Sequence, residues 1–254
     1  MRQLTCILIA LAIVGVYADE PDRLVNGSPT SIEQYPHAVS IRQNNQHMCG
    51  GSIISNYFIV TAAHCVEPLK NLKRESITIV TGTSYLNSGG EVYRISQMWY
   101  HENYNPNTPG RDAGFDIGLI KLTTPIIFNS RQRPIRLPTK DIVRGERLTI
   151  VAWGSTGYGK SVHNNLQKLE ALSMLWDECQ RYHQNFMIIH PNEFCTLIAR
   201  GTGACNGDSG SGVICSDGTL GGLVSGGRPC AVGYPDVFTN VAKFVPWINQ
   251  KMSL

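Results

Sequence analysis

From residue 38 to residue 95 the chain reads as short β-prone runs separated by turns. The runs are Ala38 to Arg42, Gly51 to Ile54, Phe58 to Thr61, Ser76 to Thr81 and Glu91 to Ile95. Asn44-Asn45 and Ser88-Gly89-Gly90 supply turn chemistry between them. Repeated short strands without a long amphipathic helix predict an antiparallel barrel. With 254 residues, 42% of them hydrophobic, the chain can bury one sizeable core or two smaller ones side by side. Helical spacing occurs in only two later places. Trp176 to His183 predicts a short helix. Val241, Phe244, Val245 and Ile248 predict a C-terminal amphipathic helix, with Pro246 disturbing its start.

The stretch from Ala204 to Gly212 carries the chemistry. It reads Ala204-Cys205-Asn206-Gly207-Asp208-Ser209-Gly210-Ser211-Gly212. A serine hydroxyl is a weak nucleophile until a neighbouring base takes its proton. Gly207 permits a sharp turn in which two N–H groups face one point beside Ser209, the arrangement that stabilises an oxyanion. A Gly-rich surface turn explains such a string equally well if it stands alone. It does not stand alone. Thr61-Ala62-Ala63-His64-Cys65 offers a base, and Asp116 opens the apolar run Ile117 to Leu122. For Asp116 the plainer alternative is a strand-start cap. For His64 it is a structural or metal-binding role, but no second histidine lies at ligand spacing, so no metal is expected.

The order His64, Asp116, Ser209 is that of chymotrypsin-type proteases. From Leu24 to Leu254 the sequence resembles the trypsin/chymotrypsin family of secreted serine endopeptidases. The resemblance implies an all-β fold of two antiparallel six-stranded β-barrels and a short C-terminal helix. The first barrel would occupy about residues 24–130, the second about 131–240, and the helix 241–254. It implies nucleophilic attack by Ser209, proton transfer by His64, orientation of His64 by Asp116, and an oxyanion hole at Gly207 and Ser209. It pairs Cys49 with Cys65, Cys179 with Cys195, and Cys205 with Cys230. It also implies cleavage after Arg23, which frees Leu24 so that its ammonium pairs with Asp208 and orders the oxyanion hole. No cofactor is expected. In the calcium loop of relatives this chain has no carboxylate before Glu91, so no structural calcium is expected either. Ala113 matches a position that limits the subsite next to the scissile residue, and alanine there predicts an open subsite.

The specificity pocket departs from the trypsin pattern. Six residues before Ser209, where trypsins carry aspartate, stands Gly203. Asp236 occupies a position that is glycine in trypsins and chymotrypsins. Gly203 with Asp236 resembles the brachyurins, the collagenolytic subgroup of arthropods. A partly desolvated carboxylate favours a cationic side chain. Cleavage after Arg or Lys is therefore predicted, with activity after large apolar residues as well. If Asp236 faces solvent instead, selectivity is chymotrypsin-like. Relatives read Ser-Trp-Gly where this chain has Ser225-Gly226-Gly227, which removes one apolar wall of the pocket. Arg228 follows, and favours an acidic residue elsewhere on the substrate.

The N-terminus reads as a secretory signal over residues 1–18: Met1-Arg2-Gln3, an apolar run from Leu4 to Val16, and Ala18 at the cleavage point. Residues 19–23 then form an activation propeptide. Removing the signal takes Cys6 from the eight cysteines and leaves seven. Cys215 is the odd one, expected as a buried, inert thiol near Leu148. The sequon Asn26-Gly27-Ser28 is expected to stay unmodified beside a buried N-terminus. The net charge of +3 is spread along the chain and argues against nucleic acid. A secreted, digestive-type monomer follows. Its partners are polypeptide substrates, an activating protease and protein protease inhibitors, with no membrane association. His37, His47, His101, His163, His183 and His190 carry no motif and are expected in surface or ordinary polar roles. A non-catalytic homologue that binds rather than cleaves is the competing reading. An α/β-hydrolase esterase is excluded by the order of the three residues and by Ser211 at the last position of Gly-x-Ser-x-Gly.

Overall fold

The computed structural model describes residues 24–107, 114–228 and 230–254. The signal, the propeptide with Arg23, and Ala113 lie outside the described residues.

The first barrel is built from β2 (Ala38–Gln43), β3 (Gln46–Ile53), β4 (Phe58–Thr61), β5 (Ile77–Thr81), β6 (Glu91–Tyr93), β7 (Ile95–Tyr100) and β8 (Gly118–Leu122). Its pairing order is β6-β5-β2-β3-β4-β8-β7. β6 and β7 are one run of chain interrupted at Arg94, and this run pairs with β5 at one end and β8 at the other. A single bent segment therefore joins both edges and closes the sheet, which leaves six strand positions. Closure removes the exposed edges that an open sheet presents. Asn44 and Asn45 connect β2 to β3 with φ of 50° and 63°. Two consecutive positive φ values define the tight hairpin that asparagine tolerates.

The second barrel comprises β9 (Arg147–Ala152), β10 (Gln167–Leu175), β11 (Glu193–Thr196), β12 (Gly212–Cys215), β13 (Leu220–Gly226) and β14 (Asp236–Asn240). The order β10-β11-β14-β13-β12-β9 returns to β10 through a β9–β10 pairing, so this sheet also closes. β1 (Ser28–Pro29) precedes the first barrel in the chain but pairs with β10 of the second. The N-terminal segment thus crosses over and fastens the two barrels together. Among the described residues there are three α-helices. α1 (Ala63–Val66) carries His64, α2 (Trp176–His183) carries Cys179, and α3 (Val245–Met252) ends the chain. α3 starts later than the apolar spacing alone suggests. Val241–Phe244 forms a 3-10 turn first, and Pro246 sits in the first turn of α3, where its missing N–H is not needed.

Each barrel has its own apolar core. Val39, Ile41, Ile59, Ile79 and Ile120 fill the first; Leu148, Ile150, Phe194, Val213 and Phe238 fill the second. A third cluster lies between barrel and helix: Phe58, Val60, Leu119 and Leu223 pack against Phe244, Trp247 and Ile248. The three disulfides are Cys49–Cys65, Cys179–Cys195 and Cys205–Cys230. Cys215 is buried and unpaired, and its register partner on β9 is Leu148.

His37 and His183, among the histidines without a motif, are buried rather than at the surface, and His183 bonds the Pro235 carbonyl through Nε2. Asn26 is exposed although Leu24 beside it is fully buried. A φ of 69° turns its side chain outward, where the amide donates to Thr202 Oγ1 at 2.9 Å. Burial does not shield this sequon.

Candidate active site

His64 and Asp116 emerge at the same end of two paired strands of the first barrel, where Thr61 of β4 lies opposite Gly118 of β8. α1 follows directly on β4, and Asp116 lies just ahead of β8, which pairs with β4. Asp116 Oδ1 accepts the His64 backbone N–H at 2.9 Å, and Oδ2 lies 2.7 Å from His64 Nδ1. A carboxylate can only accept, so Nδ1 carries the proton and Nε2 is the basic nitrogen. The His64 side chain is 27% exposed while that of Asp116 is 1% exposed. Burial alone pulls the Asp116 carboxyl upward. The His64 charge and hydrogen bonds from His64 and Ser225 outweigh it and hold the group below its ordinary range.

Two partners of Asp116 come from the second barrel. Ser225 Oγ donates to Asp116 Oδ2 at 2.6 Å, and Thr239 Oγ1 donates to the Asp116 carbonyl at 2.7 Å. Both hydroxyls are buried. The orientation of His64 therefore depends on both barrels.

Ser209 stands on the loop between β11 and β12, and this loop is pinned to the first barrel. Gly50 N–H donates to the Ser209 carbonyl at 2.8 Å, and the Gly210 N–H donates to Val224 at 2.7 Å. Gly207 has a φ of 90°, a conformation that favours glycine. Its carbonyl is turned towards His47, whose Nε2 lies 2.9 Å away, while His47 Nδ1 meets Ser40 Oγ at 2.9 Å. Among the described residues the N–H groups of Gly207 and Ser209 donate to no protein acceptor. Burial pushes His47 down to about 4, which keeps it neutral in this contact at pH 7. His47 is thus no ordinary surface histidine: it fixes the peptide that orients the Gly207 turn. Only its position two residues before Cys49 could have singled it out.

Asp208 points away from the cleft into the protein. It is fully buried, and its oxygens accept Gly154 N–H at 2.7 Å and Cys205 N–H at 2.8 Å. Burial pushes its carboxyl up to about 8, against these two bonds. Leu24 is fully buried in the second core, and the Val25 carbonyl accepts Gly203 N–H at 3.0 Å. The N-terminal segment is therefore docked on the loop that leads to Asp208.

A cavity of about 120 Å³ opens beside Ser209, lined by Ala204, Val224 to Gly227, Arg228 and Asp236 among others. Asp236 is 6% exposed, and its Oδ2 accepts Ala204 N–H at 2.7 Å. A Cβ on Gly203 would lie 2.4 Å from that same oxygen. The absent side chain at 203 and the carboxylate at 236 are thus one exchange: the acid fills the space that the glycine vacates. Burial raises the Asp236 carboxyl to about 7. Cys49, His64 and Cys65 lie close enough to suggest a metal site, but the two sulfurs are joined in a disulfide and offer no thiolate.

Two closed antiparallel barrels, with Asp116 holding His64 on the first and Ser209 on a loop bonded to that barrel through Gly50, have the architecture of a two-barrel serine protease. The sequence model of the trypsin family matches residues 24–248. The chain is 33% identical to trypsin beta of Drosophila erecta over 98% of its length and 96% of that protein. It is also 33% identical to chymotrypsin-2 of Vespa crabro, over 89% of the chain and 99% of that protein. Among solved structures it resembles neuropsin, a serine protease expressed in the limbic system of mouse brain. The TM-score is 0.79 with 26% identity, covering 89% of this chain and 98% of the other. The chain belongs to the trypsin family and is a serine-type endopeptidase that acts on polypeptides.

Proposed function

We propose that Ser209, His64 and Asp116 form the catalytic triad. Asp116 holds His64 with its proton on Nδ1, so Nε2 is the base that accepts the Ser209 proton as Oγ attacks the scissile carbonyl. The proton passes from Nε2 to the leaving amine, and water then releases the acyl group by the same steps in reverse. The Gly207 and Ser209 N–H groups receive the oxyanion. Asp116 stays ionised and stabilises the imidazolium. The observation that carries this reading is the chain of contacts Ser225 to Asp116 to His64, assembled from residues 109 and 52 positions apart. Covalent labelling tests it. An aryl phosphonate should add one phosphonyl group at Ser209, located by peptide mass mapping, and should leave Ser209→Ala unlabelled. Labelling elsewhere, or none, contradicts it.

The proposed selectivity is for Arg and Lys, with tolerance for large apolar side chains, as in the collagenolytic brachyurins. Asp236 Oδ2 is engaged by Ala204, which leaves Oδ1 for a substrate cation. The rest of the wall at Val224, Gly226 and Gly227 is apolar or small and accommodates an uncharged side chain. The two relatives above are equally similar and carry the names trypsin and chymotrypsin, so selectivity rests on the pocket itself.

The same reading includes activation. Cleavage after Arg23 gives Leu24 an ammonium group, and Asp208 is the buried carboxylate that receives it. A buried charge without a counter-charge is costly, so the pair stabilises the Gly207 turn further once the chain is cut. Residues 1–18 direct secretion. The secreted form acts as a monomer, activated by another protease and open to protein inhibitors.

A further inference from the structure

Arg228 lines the mouth of the cavity, one residue beyond Gly227. Its guanidinium lies against two rings, 4.4 Å from the centroid of Phe186 and 3.9 Å from that of Tyr234. Its N–H donors lie around the edge of the planar cation. The two rings are themselves supported. His183, fully buried at the end of α2, contacts both rings, and its Nε2 lies 2.9 Å from the Pro235 carbonyl. The Nε of Arg228 is buried and has no acceptor. Among the described residues Arg228 forms no ion pair, and Asp236, the acid in the same cavity, is not its partner. A cation already ordered by two rings and without a counter-charge is prepared for an anionic acceptor where it lines the cavity, since ordering a free arginine on binding would cost side-chain entropy.

We propose that Arg228 is a second specificity determinant, which selects a carboxylate side chain on the substrate three or four residues before the scissile bond. This rests on the catalytic reading above. The register follows from strand addition. With the residue before the scissile bond in the cavity beside Ser209, a peptide running antiparallel to Ser225–Gly227 places its third residue back opposite Gly227 and its fourth opposite Arg228. Glu or Asp there meets the edge of the guanidinium in a charge-assisted contact. Gly226 contributes no side chain to bar the approach.

The test uses protein cut after Arg23 and four matched peptides that differ only in Glu or Gln at the third or fourth residue before the scissile bond. In wild type kcat/KM should be about tenfold higher with Glu at one of these positions, as a charge-assisted contact supplies. The preference should shrink as salt rises from about 0.05 M to about 0.5 M. In Arg228→Met the Glu/Gln ratio should fall to about 1, and in Arg228→Lys it should be intermediate, because the charge remains but the fork is lost. A ratio within one protein cancels any difference in active fraction. Equal rates for Glu and Gln in wild type, or a ratio that survives in Arg228→Met, overturn the proposal and leave the catalytic reading intact. Loss of all turnover sinks the catalytic reading instead. In that case calorimetric binding of the Glu and Gln peptides to Ser209→Ala still decides the role of Arg228: equal affinities refute it.

Discussion

Ser225 shows how far a single hydroxyl reaches in this protein. It is buried, it lies 2.6 Å from Asp116 Oδ2, and it joins the second barrel to the acid of the first. Ser225→Ala removes a donor to a buried charge. Hydrogen bonds to charged groups contribute roughly 1.5–3 kcal/mol. Steady-state kinetics of the variant should show kcat lowered by about tenfold to a hundredfold with little change in KM. A rise in KM at constant kcat would mean that Ser225 only shapes the pocket. His47 and Ser225 have in common that no local pattern marks them. Ser225 is 109 residues from its partner, and His47 meets Gly207 across 160 residues. His64, Asp116 and Ser209, the proposed triad, stand out in the sequence because each sits in a short local motif; the groups that contact them are defined only by folding.

At the scale of elements, the loop before β12 and the end of β13 line the pocket, and β14 contributes Asp236. Asp236 begins β14, and Gly203 to Cys205 lie opposite. With the Asp236 carboxyl raised to about 7 by burial, the empty pocket binds a proton as pH falls through that value. The protonated acid loses its attraction for a cation. The ratio of kcat/KM for an Arg peptide to that for a Phe peptide should therefore rise with pH across the region around 7, and be flat in Asp236→Asn. The ratio cancels the titration of the catalytic groups, which act on both peptides alike. A ratio independent of pH in wild type would place the Asp236 charge outside substrate reach. Much of this level was readable in the sequence. Asn44-Asn45, Phe58 to Thr61 and Trp176 to His183 carry strong local signals, and the structure places a hairpin, a strand and a helix there. The closure of the first barrel by residues 91–100 and the pairing of β1 with β10 were not readable, because strand partners distant in sequence leave no trace in local spacing.

For the whole molecule, the uncut chain carries a liability at Asp208. Its carboxyl is raised from an ordinary 3.8 to about 8 by burial, so between these values the folded state binds a proton that the unfolded state has released. Stability must then fall as pH rises from about 4 to about 8. His37 and His47, pushed down to about 4 by burial, act in the opposite sense below their ordinary 6.5, and Asp236 in the same sense as Asp208 up to about 7. His37 and His47 act alike in the cut and uncut forms, while the Asp236 charge adds to the upward push on Asp208. The difference in Tm between cut and uncut protein should therefore widen from pH 5 to pH 8, as the Leu24 ammonium stabilises ionised Asp208. A difference that does not change with pH would show that the new N-terminus is not the partner of Asp208. The central claim is that Asp236 anchors a cation in a pocket that otherwise accepts apolar side chains. Its most direct test is kcat/KM, with protein cut after Arg23, for peptides that differ only in Arg, Lys, Phe, Leu or Ala before the scissile bond. Wild type should favour Arg and Lys while still cleaving after Phe and Leu, and Asp236→Gly should lose the Arg and Lys activity while keeping the rest. Preference for Phe or Leu alone in wild type would contradict the account.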